Sequence, residues 1–214
     1  MLIRYAYGFT VGRKNLKIPM LSRLSKKIAC RFASRHIINY DDFEIYEYGI
    51  NMLLTGVVDL VSIIIIGVLI GQVVECICFI TVFIPLRQYT GGYHSSTPGK
   101  CYISTLSMIF IVLSVIDNIQ LNVYILLGLL GISAIVIILL SPAEAVNKPL
   151  DDIEKHIYRK RAMVIWCVEL CAAIICIFAK FEWMGECIAM AHAVIAVVLI
   201  LGNIQLRKKS SIRA

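Results

Sequence analysis

Long apolar runs alternate with short polar segments over most of this 214-residue chain. A helix needs about 20 mostly apolar residues to cross the hydrocarbon core of a bilayer, and six runs approach or reach that length. The second and third hold only about 15 or 16 residues, roughly 24 Å of helix, which favours little tilt or a locally thinned bilayer. The runs cover residues 49–71, 74–89, 102–116, 121–140, 161–179 and 184–202.

Composition supports the same class. Hydrophobic residues make up 59% of the chain and charged residues only 16%, too few charges for a soluble domain of this size to cover its apolar surface. We therefore predict an all-α membrane protein with six transmembrane helices.

A different pattern precedes the first run. Leu21, Leu24, Ile28 and Phe32 recur every three or four residues within residues 20–37, with cations between them. This pattern predicts an amphipathic helix that lies in the plane of the membrane surface, and a solvated helix in a soluble extension is the alternative.

The predicted organisation has four parts. Residues 1–19 form an N-terminal extension, which lacks the apolar core and the cleavage site of a secretory signal peptide. Residues 20–48 are the surface helix and its connection, residues 49–204 the six-helix domain, and residues 205–214 a basic tail.

The cations predict the orientation. With six spans, every one of the 21 Lys and Arg residues except Lys180 falls on the same side. The positive-inside rule then places both termini and the loops 87–101 and 141–160 in the cytoplasm. The net charge of +7 is thus a topology signal and an attraction to anionic lipid, with no nucleic-acid partner expected.

Residues 87–101, RQYTGGYHSSTPGKC, form the one dense polar stretch between the apolar runs. Thr97 and Pro98 have the pattern of a helix N-cap followed by proline at the first helical position. Cys101 would then lie in the first turn, where free amide groups, the helix dipole and Lys100 favour the nucleophilic thiolate.

His94 is close enough along the loop to take the thiol proton, as in covalent acyl transfer. Gly91 and Gly92 permit unusual backbone conformations and are able to present amides to an oxyanion. A Cys–His pair at this spacing is a weak signal by itself, and a plain polar turn between two helices explains it equally well.

The other cysteines carry less information. The chain has eight, and most lie in apolar runs, where cysteine behaves as a small hydrophobic residue. Cys167 and Cys171 are one helical turn apart, but the sequence nearby does not complete a set of metal ligands. We expect no metal site and no cofactor.

The segment RQYTGGYHSSTPGKC resembles the signature of the accessory gene regulator B (AgrB) family. These are bacterial membrane peptidases that process the precursor of a cyclic quorum-sensing peptide. The resemblance extends to Tyr48-Gly49, Pro142 and Asn147-Lys148-Pro149, and it covers nearly all of the chain after residue 20.

The resemblance implies a cysteine-type endopeptidase of the bacterial cell membrane. Cys101 and His94 are then the catalytic pair, and Arg87 and Gly92 match positions important for activity. An AgrD-type precursor would be cleaved through an acyl-thioester on the enzyme, which an internal cysteine or serine of the peptide attacks to close a thiolactone or lactone. The resemblance also implies a homodimer. Candidates for substrate binding or oxyanion support are Arg87, Gly91, Gly92 and Lys100.

Some polar residues admit two interpretations. Asp59, Glu169 and His192 lie near the middle of their spans, where they either pair with each other or line the path of the peptide. Glu47 is an alternative partner for His94. The basic segment 148–161 either holds an acidic substrate tail or meets anionic lipid.

Two other classes of protein fit part of the pattern. A small six-span transporter or exporter without peptidase activity explains the ionisable residues within the spans but needs no Cys–His loop. A protein S-acyltransferase explains Cys101 but requires a cysteine-rich zinc-binding segment before it, which this sequence lacks.

Overall fold

The structure is a computed structural model and describes residues 19–93, 95, 97–119, 121–144 and 150–213. Seven α-helices account for most of this part of the chain, and no β-strand occurs in it. A short 3-10 turn, Tyr40–Asp42, precedes the second helix. The helices are α1 (Pro19–Ser34), α2 (Phe43–Ile70), α3 (Val73–Thr90), α4 (Pro98–Asn118), α5 (Val123–Leu140), α6 (Asp152–Phe178) and α7 (Glu182–Arg213).

Six of these helices, α2 to α7, are long and apolar enough to cross a membrane. They overlap the six predicted runs one by one, which confirms an all-α, multi-pass membrane protein. The third run grows from the predicted 102–116 to the 21 residues of α4, about 31 Å, because a capped polar turn precedes it. A helix of that length spans a bilayer without local thinning.

Helix α1 confirms the predicted N-terminal helix, although it ends at Ser34 instead of residue 37. Its buried side chains are small ones, Ser25, Ala29 and Ala33. The apolar row predicted to face lipid stays partly open, and Leu24 is 45% exposed. Such a helix is suited to the surface of a membrane. Residues 1–18 of the predicted extension lie outside the described residues.

The described residues divide into two compact units. One comprises those within Met1–Ile65 together with Ser95–Ser107, and so contains α1, most of α2 and the beginning of α4. Within this unit α2 buries few side chains: only 11% of its most apolar window is buried.

The second unit comprises the described residues within Ile66–His94 and Met108–Ala214. Helix α7 is at its centre and packs against α3, α5 and α6, with 50% of its apolar window buried. Helix α7 also continues to Arg213, so the described part of the predicted basic tail is helical. The core cluster around the middle of α7 consists of Leu86, Ile137, Ala143, Trp166, Ile195 and Leu199.

Polar residues fix where two of these helices begin. Asn122 caps α5, because its side chain accepts the Tyr124 amide hydrogen at 3.1 Å. Asp151 and Glu154 form a capping box at the start of α6. Helix α6 thus starts about nine residues before its apolar run. An apolar run alone does not indicate this charged first part of the helix.

Candidate functional site

The turn after α3 has a backbone shape that suits glycine. Gly91 has φ +70° and Gly92 has φ +119°, conformations that residues with a side chain rarely adopt. The Gly91 amide donates to the Arg87 carbonyl at 3.3 Å, and the Ala143 amide donates to the Thr90 carbonyl at 2.8 Å. Gly91 thereby lies directly beside Ala143 in a short parallel bridge, where a Cβ would overlap the Ala143 carbonyl.

Helix α7 supports the other side of this turn. The Tyr93 amide donates to the Val198 carbonyl at 2.9 Å. A Cβ at Gly92 would lie 2.9 Å from the Val198 carbonyl oxygen, and a Cβ at Gly202 would lie 2.6 Å from the Tyr93 nitrogen. Both glycines are therefore needed for the turn to rest directly on the backbone of α7.

The side chain of Arg87 forms hydrogen bonds with the backbone of the same turn. Its guanidinium donates from Nη1 to the Gly91 carbonyl and from Nη2 to the Tyr93 carbonyl, the second at 2.8 Å. One planar cation thus bridges two backbone oxygens on either side of Gly92. The Arg87 side chain therefore binds the backbone of the segment that leads to His94. His94 itself lies outside the described residues.

Aromatic contacts hold the end of α3. The Arg161 guanidinium lies 5.5 Å from the centre of the Tyr89 ring, and the Tyr158 ring meets Tyr89 edge-on with 5.8 Å between centroids. Both partners come from α6. These contacts fix the last turn of α3, from which the glycine turn departs.

Cys101 lies in the first turn of α4, as the sequence predicted. The Thr97 hydroxyl oxygen accepts the Lys100 amide hydrogen at 3.4 Å, and the Thr97 carbonyl accepts the Cys101 amide hydrogen at 3.1 Å. Pro98 occupies the first helical position, which confirms the predicted cap. The side chains of Cys101 and Lys100 are both exposed.

A contact that the sequence analysis did not find supports this turn. The Tyr102 hydroxyl lies 2.7 Å from the Ser62 hydroxyl of α2. Ser62 donates its own proton to the Val58 carbonyl at 2.8 Å, so the hydrogen between the two hydroxyls comes from Tyr102. Ser62 is about 28 Å along α2 from Phe43, so the turn of Cys101 lies beside a central part of that helix.

The model of the accessory gene regulator B family matches residues 25–201. The chain belongs to this family. Relatives described as AgrB-like include a protein of Clostridium perfringens strain SM101, 28% identical over 145 residues, which cover 64% of this chain and 67% of the relative. One from Listeria monocytogenes serotype 4b strain CLIP80459 is 24% identical over 170 residues, 78% of this chain and 81% of the relative. No solved structure matches the chain.

Membership of the AgrB family links the protein to accessory gene regulator quorum sensing and to an AgrD-type precursor peptide. The positions that carried the resemblance are distributed unevenly over the structure. Pro142 lies next to Ala143, which contacts the glycine turn. Asn147-Lys148-Pro149 lies outside the described residues.

Two ionisable residues within the spans pair with each other. His192 of α7 is fully buried, and its Nε2 lies 3.1 Å from Glu169 Oε2 of α6. One of the two interpretations of these residues, pairing, is therefore confirmed for Glu169 and His192. Asp59 and Glu47 belong to α2.

Two cations of the predicted basic segment also have partners within the chain. Lys155 pairs with Glu144 at 2.7 Å, and Arg159 donates to the Ile138 carbonyl at the end of α5 at 3.2 Å. Together with His156 and Pro142 they line an open cavity of about 420 Å³. These contacts give Lys155 and Arg159 structural roles that require no substrate.

Proposed function

We propose that this protein is a membrane cysteine endopeptidase that removes the C-terminal tail of an AgrD-type precursor. The observation that carries the proposal is the position of Cys101, an exposed thiol in the first turn of a capped helix. Its family membership and the position of His94 seven residues earlier support the same chemistry. A plain polar turn would not need the thiol.

The position of Cys101 leaves its thiol accessible to a substrate. It is exposed in the first turn of α4, directly after the exposed Lys100. The thiolate is the nucleophilic form of cysteine. His94 serves as general base and then as general acid, the usual partner of a catalytic thiol.

The reaction has two transfers. The Cys101 sulfur forms a bond with the scissile carbonyl carbon, the carbon–nitrogen bond breaks, and His94 delivers a proton to the leaving amine. The precursor's tail departs with a new amino terminus, and an acyl-thioester remains on the enzyme. An internal thiol of the peptide then attacks that carbonyl, forms the thiolactone and returns the thiolate to Cys101. An internal hydroxyl would give a lactone instead.

Water is the competitor of the second transfer. Exchange between two thioesters is nearly balanced, whereas hydrolysis of a thioester is strongly downhill. The enzyme must therefore shield the intermediate from water. The hydrogen bond between Tyr102 and Ser62 brings the turn of Cys101 beside a central part of α2, a helix long and apolar enough to cross a membrane, which supports this requirement.

Arg87, Gly91 and Gly92 act in this proposal by shaping the polypeptide before His94. Arg87 bridges the Gly91 and Tyr93 carbonyls, and the Gly91 amide already donates to the Arg87 carbonyl. Of the predicted sources of oxyanion support, Gly92 and Lys100 remain. The pairing of Glu169 with His192 explains two residues that had favoured a transporter, so we prefer the peptidase.

The same proposal includes location and partners. Both termini and the loop with His94 face the cytoplasm, where a newly made precursor is available, and α1 lies on the anionic inner leaflet. The enzyme acts as a homodimer and has no nucleic-acid partner. The four predicted parts, 1–19, 20–48, 49–204 and 205–214, serve as extension, surface helix, peptidase domain and basic tail.

A cysteine-to-serine change tests the proposal directly. We expect Cys101→Ser in proteoliposomes to cleave an AgrD-type precursor at least about a thousandfold more slowly, because a serine hydroxyl is not ionised near neutral pH. Cys171→Ala, which removes another exposed thiol, should keep nearly full activity. Release of the C-terminal fragment by Cys101→Ser at the wild-type rate would refute the assignment.

A further inference from the structure

Helix α2 has a polar stripe, formed by Tyr48, Asn51, Thr55, Asp59 and Ser62. They are spaced three or four residues apart, so at 100° per residue they share an arc of about 80°. From Tyr48 to Ile70 they are also all the residues whose side chains are able to form conventional hydrogen bonds. A helix that was surrounded by lipid alone would gain nothing from such a stripe.

The burial of side chains on α2 follows the polar stripe. All five of its residues are half-buried, whereas most of the other side chains from Met52 to Val61 are exposed. Val57, on the opposite side of the helix from Thr55, is 54% exposed, and Leu53 is 70% exposed. The stripe therefore faces away from lipid, as polar residues within a membrane do when they line a cleft or a path.

The stripe ends at the nucleophile. Ser62, its last member, accepts the hydrogen bond from Tyr102, the residue after Cys101. From Tyr48 to Ser62 the stripe is about 21 Å long, since the helix rises 1.5 Å per residue. An extended peptide of about six residues has the same length.

Two acceptors on the stripe lack donors. The Asp59 carboxylate makes no hydrogen bond or ion pair with any residue that the structure describes. The Asn51 side-chain oxygen is buried and likewise has no partner in the described part of the chain. A buried acceptor without a donor is costly, so a ligand that supplies an N–H group is favoured at Asn51. Asp59 is half-buried, and a donor or a cation from a ligand would stabilise its carboxylate in the same way.

We propose that the polar stripe of α2 binds an extended segment of the peptide substrate and guides the scissile bond to Cys101. Backbone N–H groups of the peptide, or a cationic side chain next to Asp59, satisfy the two acceptors. This inference rests on the proposed function, because it takes Cys101 as the end of the path. It adds a substrate-binding surface on a helix that contains no residue of the RQYTGGYHSSTPGKC segment.

Photocrosslinking tests the surface without requiring catalysis. In full-length chain with Cys101→Ala, the photoreactive residue benzoylphenylalanine replaces either Thr55 on the stripe or Val57 on the opposite face. A synthetic AgrD-type precursor is added to both in proteoliposomes. We expect position 55 to crosslink to the peptide at least about tenfold more than position 57.

Two outcomes would overturn the proposal. Equal crosslinking at positions 55 and 57 would show that the peptide does not distinguish the faces of α2. Crosslinking of position 55 to a second copy of the chain, unchanged by added precursor, would show that the stripe is an interface between protomers.

Kinetics separate this proposal from the proposed function. Asp59→Asn in the otherwise native enzyme should raise the apparent KM about tenfold with a smaller change in kcat, as expected when a charged hydrogen bond to substrate is weakened. Val61→Leu on the exposed face should leave both constants unchanged. Normal cleavage by Asp59→Asn together with loss of cleavage in Cys101→Ser would reject the stripe and keep the peptidase.

Discussion

The two ends of the RQYTGGYHSSTPGKC segment are built in opposite ways. At its beginning, Gly91 and Gly92 are packed against the backbones of Ala143 and Val198. The Arg87 guanidinium bridges the carbonyls of Gly91 and Tyr93. At its end, Cys101 is exposed in a helical turn that Thr97 caps. A Cβ at Gly99 in that turn would meet no atom within 4 Å.

Under the proposed function, this difference indicates a division of labour between the base His94 and the nucleophile Cys101. A base must be held in a fixed direction to act on one proton, and a tightly packed turn provides a fixed backbone before His94. A nucleophile must receive a long and flexible peptide, and an open first turn leaves room for it. The tight end is therefore expected to tolerate few substitutions, and the open end many except at Cys101 itself.

The largest expected effect comes from the tight end. Gly92→Ala places a Cβ 2.9 Å from the Val198 carbonyl oxygen at a φ of +119°, and a backbone atom cannot move aside cheaply. We expect a loss of about 2–4 kcal/mol of stability and cleavage at least about a hundredfold slower. Thermal unfolding in detergent and precursor cleavage measure the two effects.

Gly99→Ala is the matched control at the open end. It enters a helix with free space around it, so stability and cleavage should stay near wild type. If both alanine variants lost activity to the same extent, the contrast between the two ends would be wrong.

A smaller loss is expected when Arg87 is changed. Arg87→Ala removes the bridge between the Gly91 and Tyr93 carbonyls, so kcat should fall about 10- to 100-fold while KM changes little. Arg87→Lys should recover little activity, because an ammonium does not reproduce the planar fork. Guanidinium ions added to Arg87→Ala should restore part of kcat.

Arg23→Ala, on the separate helix α1, serves as the control for loss of an exposed cation. A rise in KM for Arg87→Ala at unchanged kcat would instead identify Arg87 as a residue that binds substrate. That result would support the interpretation reached from the sequence over the positioning role.

The smallest effect is expected at the open end. Tyr102→Phe removes the hydrogen bond to Ser62, and such bonds between membrane helices contribute about 0.6 kcal/mol on average. We expect the rate at which iodoacetamide alkylates Cys101 and the rate of precursor cleavage each to change about threefold. Ser62→Ala should have the same effect, and the double variant should add nothing further.

Tyr124→Phe provides the comparison, since Tyr124 is 79% exposed on α5. Additive effects of Tyr102→Phe and Ser62→Ala would mean that the two hydroxyls act independently and that α2 does not support the turn of Cys101.

Local features were predictable from the sequence. Apolar runs gave six spans because the requirement for about 20 apolar residues is a property of consecutive positions. The cap at Thr97 and Pro98 was predictable for the same reason, and the structure confirms it. The ends of α6 and α7 were missed, since both helices continue through charged segments that no apolar run includes.

Contacts between distant residues were not predictable. Gly202 looks like any small residue in an apolar run, and nothing nearby in sequence indicates that it lies against Gly92 and Tyr93. Ser62 looks like an isolated hydroxyl until Tyr102 is placed beside it. An arginine before a glycine pair gives the same sequence pattern whether its side chain binds a substrate or the protein backbone. In the structure, the Arg87 side chain donates to backbone carbonyls.

The packing of the glycine turn against α7 also has a consequence for the order of events during biosynthesis. Tyr93 is hydrogen-bonded to Val198, a residue made about a hundred positions later, and Gly202 follows Val198 by one helical turn. While the ribosome is still producing α5 and α6, the chain already carries Cys101, but the part of α7 on which the turn rests has not yet been made. Insertion of the final helix completes the turn, so under the proposed function a nascent chain remains inactive until synthesis is nearly finished.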